Sequence, residues 1–323
     1  MADQAGKILK PSWLVAAEQD GMRLDAFLRQ TLPHLSRRAV EKALKENSFL
    51  INRKVGRKGD MLKSADSVSF KGDPLWLESA PAAETELRVA IVYEDDFIIA
   101  VDKPAGMPTH GFSARDTHTL ANFLITRFPM LADIGASRWE AGLVHRLDRE
   151  TSGLVLAAKT AAAFTHLRQQ FRRREIGKWY WALVAGEVER AGIIDYPIAH
   201  DTRDRRKMRA LVGNSANRAK IKTWPATTRY RRLATARQKT LVELEMFTGV
   251  THQLRVHLAA IGHPIVNDQL YGANAVQDSG LERHFLHAKR LRLRHPQHGR
   301  EIEIEAALAP ELTAVLDKLK IRP

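Results

Sequence analysis

One aspartate is surrounded by basic side chains where the sequence turns from polar to apolar. In HRLDRETSGLVLAAK, residues 145–159, Asp148 lies between Arg146 and Arg149, and an apolar run follows Thr151-Ser152-Gly153. A carboxylate in this setting either neutralises charge or acts as a nucleophile or a base. Taken alone, these residues fit a structural ion pair as well as they fit a catalytic carboxylate.

Two further stretches contain polar side chains that a protein core does not need. KWYWALVAGEV, residues 178–188, has the alternation of a strand, which places Lys178 and Tyr180 on one face and the tryptophans on the other. In TGVTHQLRVHLAAIGHPIVNDQLYG, residues 248–272, Thr251, Gln253 and Arg255 alternate with apolar neighbours, or they continue into a helix through Val256, Leu258 and Ala259. These stretches are the next candidates for functional side chains.

The elements that must position these residues can be predicted from the pattern. Residues 87–103 are expected to form two strands joined at Glu94-Asp95-Asp96. Residues 142–159 are expected to form a strand, a loop and a strand, and a helix with Thr160 as its N-cap should follow. Asp148 is therefore expected on a loop that is held by two strands.

The chain is expected to have two domains joined by a linker. Residues 12–74 contain two amphipathic basic helices, the second with Ser36 as its expected N-cap, and then short strands. Residues 75–86 are rich in Pro, Ala and Glu and are typical of a linker. We expect a small α/β RNA-binding module before the linker and a larger catalytic domain, residues 87–323, after it.

The composition of the chain excludes several classes of protein. The chain has no cysteine, which excludes disulfides, thiolate zinc sites and cysteine nucleophiles. His252 and His257 could suggest a metal site, but no matched carboxylate spacing accompanies them, so we expect no metal. We find no signal peptide and no apolar run near the roughly 20 residues of a membrane span. We therefore expect a cytoplasmic protein without a membrane partner.

The charge of the chain predicts a nucleic-acid partner. The net charge is +14, and residues 164–240 alone hold nineteen Lys and Arg against six Asp and Glu. Residues 200–222 are typical of a mobile basic arm that becomes ordered against phosphates, although an ordinary solvated loop is the alternative. The predicted RNA contacts in this arm and in the N-terminal module are Arg205, Arg206, Lys207, Arg37 and Arg38.

Five motifs together resemble the RluA-type RNA pseudouridine synthases. They are HRLDRETSG, VDKPAG, KWYWALVAG, TGVTHQLRVHLAAIGHPIVNDQLYG and FLHAKRLRLRHP, and they follow the order of that family between residues 87 and 296. A nine-residue motif with four ordered companions is a specific signal, whereas HRLD alone would not be. RLDAFL and the residues after it resemble the alpha-L RNA-binding domain, of the ribosomal-protein-S4 type, that many members carry.

The resemblance implies a reaction and a role for each candidate residue. Members detach uracil from its ribose, turn it and rejoin it through carbon five, without a cofactor or a metal. By resemblance, Asp148 is the catalytic aspartate, Tyr180 lies on the uracil, and Arg255 pairs with the aspartate. The uridine must leave the helix to reach the carboxylate, and Arg146 fills the space that it vacates. Arg149 and Lys178 are expected to help bind the RNA.

The implied fold is a mixed α/β (α+β) catalytic domain around a long, mostly antiparallel sheet, with a small N-terminal α/β module. The implied partner is structured RNA, with large-subunit ribosomal RNA ahead of tRNA, and we expect a monomer. The chain departs from the family pattern at Val250, where an arginine is usual, and at Asn267, where a glycine is usual. The N-terminal module also has KSADSVSF, residues 63–70, in place of the usual Gly-Asp.

Two other functions fit parts of the sequence. A non-catalytic RNA-binding or ribosome-assembly factor would use the same basic segments, but it would not need the combination of Asp148, Tyr180 and Arg255. Another uracil-modifying enzyme is disfavoured by composition, because methylation at carbon five and thiolation generally use cysteines. An RNA uridine isomerase accounts for most of the motifs.

Overall fold

A computed structural model describes residues 11–33, 35, 37–72, 77, 83–111, 116–135, 140–213, 221–272 and 280–323, without the side chains of Arg38 and Ala39. The chain divides into two compact units, which are Met1–Leu87 with His110–Ala141 and Arg88–Thr109 with Gly142–Pro323. Within the described ranges, no helix has the length and apolarity that a membrane crossing needs. The predicted division into an RNA-binding module, a linker and a catalytic domain stays a prediction.

The described residues of the first unit form three α-helices and a four-stranded sheet. The helices are α1 (Leu24–Thr31), α2 (Arg37–Lys45) and α3 (Leu120–Arg127). The sheet has the order β1-β4-β2-β3, formed by β1 (Ser12–Leu14), β2 (Phe49–Ile51), β3 (Lys54–Val55) and β4 (Ser67–Phe70). The two predicted basic helices and the short strands after them are confirmed, while the expected N-cap Ser36 lies outside the described residues.

The second unit is built on a nine-stranded sheet. Its order is β5-β6-β7-β15-β8-β14-β13-β9, with β16 paired to β15. Every neighbouring pair is antiparallel except β7 and β15, which confirms the predicted long, mostly antiparallel sheet. The strands are β5 (Ala90–Glu94), β6 (Ile98–Lys103), β7 (Ser152–Ala158), β8 (Gly177–Ala185), β9 (Ala191–Ile194), β13 (Thr228–Ala236), β14 (Lys239–Met246), β15 (Leu286–Arg294) and β16 (Glu301–Glu305).

Three α-helices and a small second sheet are the other elements among the described residues of this unit. The helices are α4 (Ala161–Arg173), α5 (Gln253–Ala260) and α6 (Pro310–Leu319). The second sheet has the order β11-β10-β12, formed by β10 (Ile198–His200), β11 (Met208–Ala210) and β12 (Thr223–Trp224). Thr160 caps α4 as predicted, because its hydroxyl accepts a hydrogen bond from the Ala163 amide at 3.1 Å.

The strand predicted immediately before Asp148 is wrong. Only Leu143 pairs with the sheet, in an isolated bridge to Ala157. The ladder stops there because the Leu156 amide donates to the His145 ring at 3.0 Å instead of to a backbone carbonyl. The residues immediately before Asp148 therefore form a loop. Only the residues after Asp148 continue into a strand, which is β7.

Part of the predicted basic arm has a defined structure. The Asp201 carboxylate accepts hydrogen bonds from the amides of Arg203 and Asp204 at 2.7 and 2.9 Å, which makes a tight turn. The chain then returns as β11, antiparallel to β10. Residues 214–220 of the arm lie outside the described part of the chain.

Candidate active site

The Asp148 loop is fastened to the segment that follows β6 by a buried lysine. The Lys103 ammonium donates to the carbonyls of Pro104 and Met107 at 2.8 Å each, and to that of Arg149 at 3.1 Å. Burial lowers the pKa of Lys103 to about 7. Three acceptors match the three protons of an ammonium group, so Lys103 joins both segments through backbone atoms.

Two more contacts fix the residues on either side of Asp148. The Thr109 hydroxyl donates to the Leu147 carbonyl at 2.8 Å and accepts from the Leu147 amide at 3.2 Å. Arg149 donates from Nε to the Gly106 carbonyl at 2.8 Å. With both neighbours fixed, the Asp148 side chain points out of a rigid loop and stays 28% exposed.

The glycine that ends the HRLDRETSG motif is required by close packing of two strands. Gly153 has φ +112°, and a Cβ at this position would lie 2.3 Å from the Ala288 carbonyl oxygen. Here β7 and β15 pair in parallel, with Ser152 opposite His287 and Gly153 opposite Ala288. No side chain fits between these backbones, so Gly153 fixes how the Asp148 loop enters the sheet.

Arg255 reaches Asp148 from the first turns of α5. Its Nη1 donates to Asp148 Oδ2 at 3.2 Å, while Nε and Nη2 donate to the two oxygens of Asp268 at 2.7 and 2.8 Å. The Arg255 side chain is 7% exposed and that of Asp268 is fully buried. Burial acts against the charge of Arg255, but Asp268 and Asp148 outweigh it and raise the Arg255 pKa. A bidentate pair thus aims the guanidinium at Asp148.

Asp268 was not identified from the sequence. Burial would raise its pKa, but the hydrogen bond and charge of Arg255 outweigh burial and lower it, so Asp268 stays ionised. Its Oδ1 also accepts from the amides of Leu270 and Tyr271 at 3.0 and 3.1 Å. The sequence did contain a local signal for a turn at Asp268. An aspartate followed by polar and glycine residues often forms a turn in which its own side chain accepts hydrogen bonds from the backbone.

The two departures from the family pattern have structural explanations. Asn267 has φ +61°, a left-handed conformation that asparagine tolerates better than most residues, so it can replace the usual glycine. Its side-chain amide donates to the Leu281 carbonyl. Val250 packs against the small cluster that contains Met208 and Val256, so an apolar contact replaces the usual arginine.

Tyr180 lies in β8 with Leu244 and Ala288 opposite it on the neighbouring strands. The side chain is buried, at 4% exposure. Burial, and secondly the charge of Asp148, raise the Tyr180 pKa above its usual value. Tyr180 therefore keeps its phenolic proton at neutral pH, and it lies within electrostatic reach of the carboxylate.

A histidine forms the other near neighbour of Asp148. His252 Nε2 lies 3.7 Å from Asp148 Oδ2, and His252 Nδ1 lies 2.8 Å from the hydroxyl of Tyr271. The sequence had indicated His252 only as a weak metal candidate. No group of three His, Cys, Asp or Glu that could hold a metal occurs among the described residues.

The predicted RNA contacts occupy different environments. Arg146, Arg149, Arg205 and Arg206 are exposed, and Arg37 is exposed beside Glu41. Lys178 is buried and donates to the Thr248 carbonyl at 3.0 Å, and burial lowers its pKa to about 8. Lys207 is half-buried, and the Arg38 side chain lies outside the described residues. Their assignment to RNA stays a prediction.

The site can support chemistry at a glycosidic bond. A partly exposed carboxylate is held by a buried arginine, and a protonated phenol is close to it. A carboxylate stabilises a sugar that gathers positive charge, or attacks it, as the carboxylates of glycosidases do.

Comparison with known proteins decides the family. The sequence model described as RNA pseudouridylate synthase matches residues 97–260, half of the chain. The chain belongs to this family. It is 34% identical over 318 residues to ribosomal large subunit pseudouridine synthase D of Yersinia pestis, covering 95% of this chain and 93% of that protein. It is 38% identical over 314 residues to an RNA pseudouridine synthase of Chloroflexus aurantiacus, covering 96% and 93%.

The fold agrees with solved members of the family. Human RNA pseudouridylate synthase domain containing 1 superposes with a TM-score of 0.53 at 26% identity, covering 73% of this chain and 96% of that one. The predicted family, the mixed α+β fold and the isomerase class are therefore confirmed. The comparisons do not test the individual site residues.

Proposed function

We propose that this pseudouridine synthase isomerises one or more uridines of large-subunit ribosomal RNA, with Asp148 as its catalytic carboxylate. The observation that carries the proposal is the contact of Asp148 with a buried arginine, itself held by a second carboxylate. The RNA class is suggested by the ribosomal large subunit pseudouridine synthase D of Yersinia pestis, which resembles this chain over nearly its whole length.

The geometry accounts for the role of the carboxylate. The bond from the ribose anomeric carbon to N1 of uracil breaks, a bond to carbon five forms, and the proton on carbon five moves to N1. Asp148 starts this sequence by attacking the anomeric carbon or by removing the neighbouring sugar proton. Both routes start from the carboxylate group, and the Arg255 guanidinium holds that group in place from 3.2 Å.

Tyr180 and Arg146 would handle the base. A uridine in a stacked helix cannot reach Asp148, so it must rotate out of the stack. Arg146 is exposed two residues before Asp148, where its planar group could occupy the vacated position. Tyr180 would pack against the extruded uracil and, being protonated, would also offer a hydrogen bond to it.

The basic segment would bind the phosphates. Arg205 and Arg206 are exposed beside β11, and Met208 at the start of that strand is hydrogen-bonded to Tyr271, two contacts from Asp148. Cations at this position would draw in the RNA backbone and release counterions from it. RNA that binds to these cations would have a helical segment within reach of the loop that carries Asp148.

Pseudouridine mapping would test the proposal. Large-subunit RNA from cells that lack the protein would be treated with carbodiimide and read by primer extension, after rescue with wild type, Asp148→Asn or Asp317→Asn. Asp317 is an exposed aspartate of α6 and serves as the matched control. We expect one or more stops that wild type and Asp317→Asn restore and Asp148→Asn does not.

Three outcomes would contradict the proposal in part or in whole. A stop that is lost from tRNA and not from ribosomal RNA would refute the RNA class but keep the role of Asp148. Restoration of the stop by Asp148→Asn would refute the catalytic assignment. Unchanged maps of all RNAs would favour the RNA-binding or ribosome-assembly factor instead.

A further inference from the structure

His252 has an unusual backbone conformation next to the catalytic carboxylate. It has φ +56°, in the left-handed region, immediately before α5. Left-handed residues of this kind are uncommon and concentrate at functional sites, because the strain must be offset elsewhere. The conformation brings the His252 ring to 3.7 Å from Asp148.

Tyr271 contacts both side chains that approach Asp148. Its hydroxyl lies 2.8 Å from His252 Nδ1, and the guanidinium of Arg255 lies over its ring, 5.2 Å from the centroid. The Met208 amide donates to the same hydroxyl at 2.8 Å. Tyr271 is therefore the common neighbour of His252 and Arg255.

The hydrogen bonds at Tyr271 bear on which ring nitrogen of His252 carries the proton. A phenol has one proton, and the Met208 amide already occupies one of its oxygen lone pairs. Burial raises the pKa of Tyr271 to about 12, so the phenol is protonated at neutral pH. Among the described residues, the other hydrogen-bond partner of the phenol is His252 Nδ1, which lies where it can accept the phenolic proton.

His252 itself is neutral. Burial lowers its pKa, and Arg255 and Arg146 act in the same direction, while Asp148 and Asp268 oppose them. A neutral imidazole that accepts at Nδ1 carries its hydrogen on Nε2. Nε2 is the atom that lies nearest to the Asp148 carboxylate.

We infer that His252 is a positioning residue for Asp148, and that the Tyr271 hydroxyl selects the tautomer which points the Nε2 hydrogen at the carboxylate. This inference rests on the catalytic role proposed for Asp148. The 3.7 Å separation is longer than a hydrogen bond, and such contacts commonly shorten when substrate binds. His252 and Arg255 would then hold the carboxylate in the orientation that attack or proton removal requires.

The first test reads the tautomer directly, without any RNA. The ¹⁵N shifts of labelled histidine would be compared between wild type and Tyr271→Phe, and His252→Gln would identify the His252 signals. We expect the Nε2-protonated form in wild type and a mixture of tautomers in Tyr271→Phe. A wild-type His252 that carries its proton on Nδ1 would overturn the inference.

The second test measures single-turnover rates on a large-subunit RNA fragment. Tyr271→Phe keeps the ring over Arg255, and we expect the rate to fall at least tenfold while the RNA concentration at half-maximal rate stays within about twofold. Tyr230→Phe is the control, because Tyr230 is a buried tyrosine of β13. An unchanged rate in Tyr271→Phe would overturn the inference.

A pair of substitutions separates positioning from a merely structural role. His252→Gln keeps an N–H group near the position of Nε2, whereas His252→Met has a similar length and no donor. We expect Gln to retain more of the rate than Met, and equal losses would contradict a donor role. If wild type is inactive on the RNA fragment, the proposed RNA class fails, while the ¹⁵N spectra still decide the tautomer.

Discussion

Replacement of Asp268 by Asn tests whether a buried ion pair supports the active site. The change keeps the size of the side chain and removes the charge opposite Arg255. Both partners are almost completely removed from solvent, and two hydrogen bonds of 2.7 and 2.8 Å join them. Removal of one partner of such a pair costs about 3–5 kcal/mol of unfolding free energy. Asp148 still contacts Arg255, so we expect a loss near the lower end, about 3 kcal/mol.

Urea unfolding of the full-length protein, followed by tryptophan fluorescence, would measure this loss. Asp204→Asn is a matched control, because Arg206 contacts Asp204 with the same two-bond geometry, at 3.0 and 2.9 Å, on the exposed surface. Solvent screens an exposed pair, so the control should unfold close to wild type. Equal unfolding of wild type and Asp268→Asn would refute the argument that this pair is a buried support.

The pH dependence of the same variant provides a second check. The folded state lowers the pKa of Asp268 below 3.8, so its contribution to stability is complete above that value. The contribution disappears as the pH falls through the lowered pKa, where Asp268 becomes protonated in the folded state too. The difference in unfolding free energy between wild type and Asp268→Asn should therefore be constant near pH 7. It should become smaller as the pH falls below 3.8. If this difference in unfolding free energy grows on acidification, the argument that the folded state lowers the pKa of Asp268 is contradicted.

Three further predictions concern RNA binding, the tyrosine and the motif glycine. Simultaneous replacement of Arg205, Arg206 and Lys207 by alanine should reduce the magnitude of the slope of log affinity against log salt concentration by about 2. An unchanged slope would show that these three side chains do not contact phosphates. The raised pKa of Tyr180 predicts that Tyr180 adds no inflection to the turnover rate up to pH 10, and an inflection below pH 10 that Tyr180→Phe removes would contradict this. Gly153→Ala should destabilise the fold far more than Gly213→Ala, since both have positive φ but only Gly153 would clash with a backbone. Comparable urea midpoints for the two variants would refute the packing argument.

Contacts within one element were predictable from the sequence. The alternation of KWYWALVAG predicted β8, and Thr160 before an apolar-periodic segment predicted the start of α4. The strand expected before Asp148 is wrong because the His145 ring takes a hydrogen-bond position of the ladder, and no hydrophobic pattern records that competition. The resemblance indicated Asp148 and Arg255 as partners, and the structure brings them together at 3.2 Å.

Contacts between distant loops were not predictable from the sequence. Asp268 lies in a turn beyond α5, so neither helical nor strand periodicity relates it to Arg255. Lys103 is another example, because lysine is ordinarily exposed. It is buried here because three carbonyls from two loops converge on its ammonium group, which only the folded chain can bring about.

The most direct test of the central claim compares RNA binding with turnover in Asp148→Asn. The substitution preserves size, and only the chemistry of the carboxylate is lost. We expect affinity for large-subunit RNA to stay within about tenfold of wild type while isomerisation becomes undetectable in a single-turnover assay. Isomerisation at a rate near wild type would contradict the catalytic role of Asp148, and loss of binding in parallel with loss of turnover would assign Asp148 to holding the RNA.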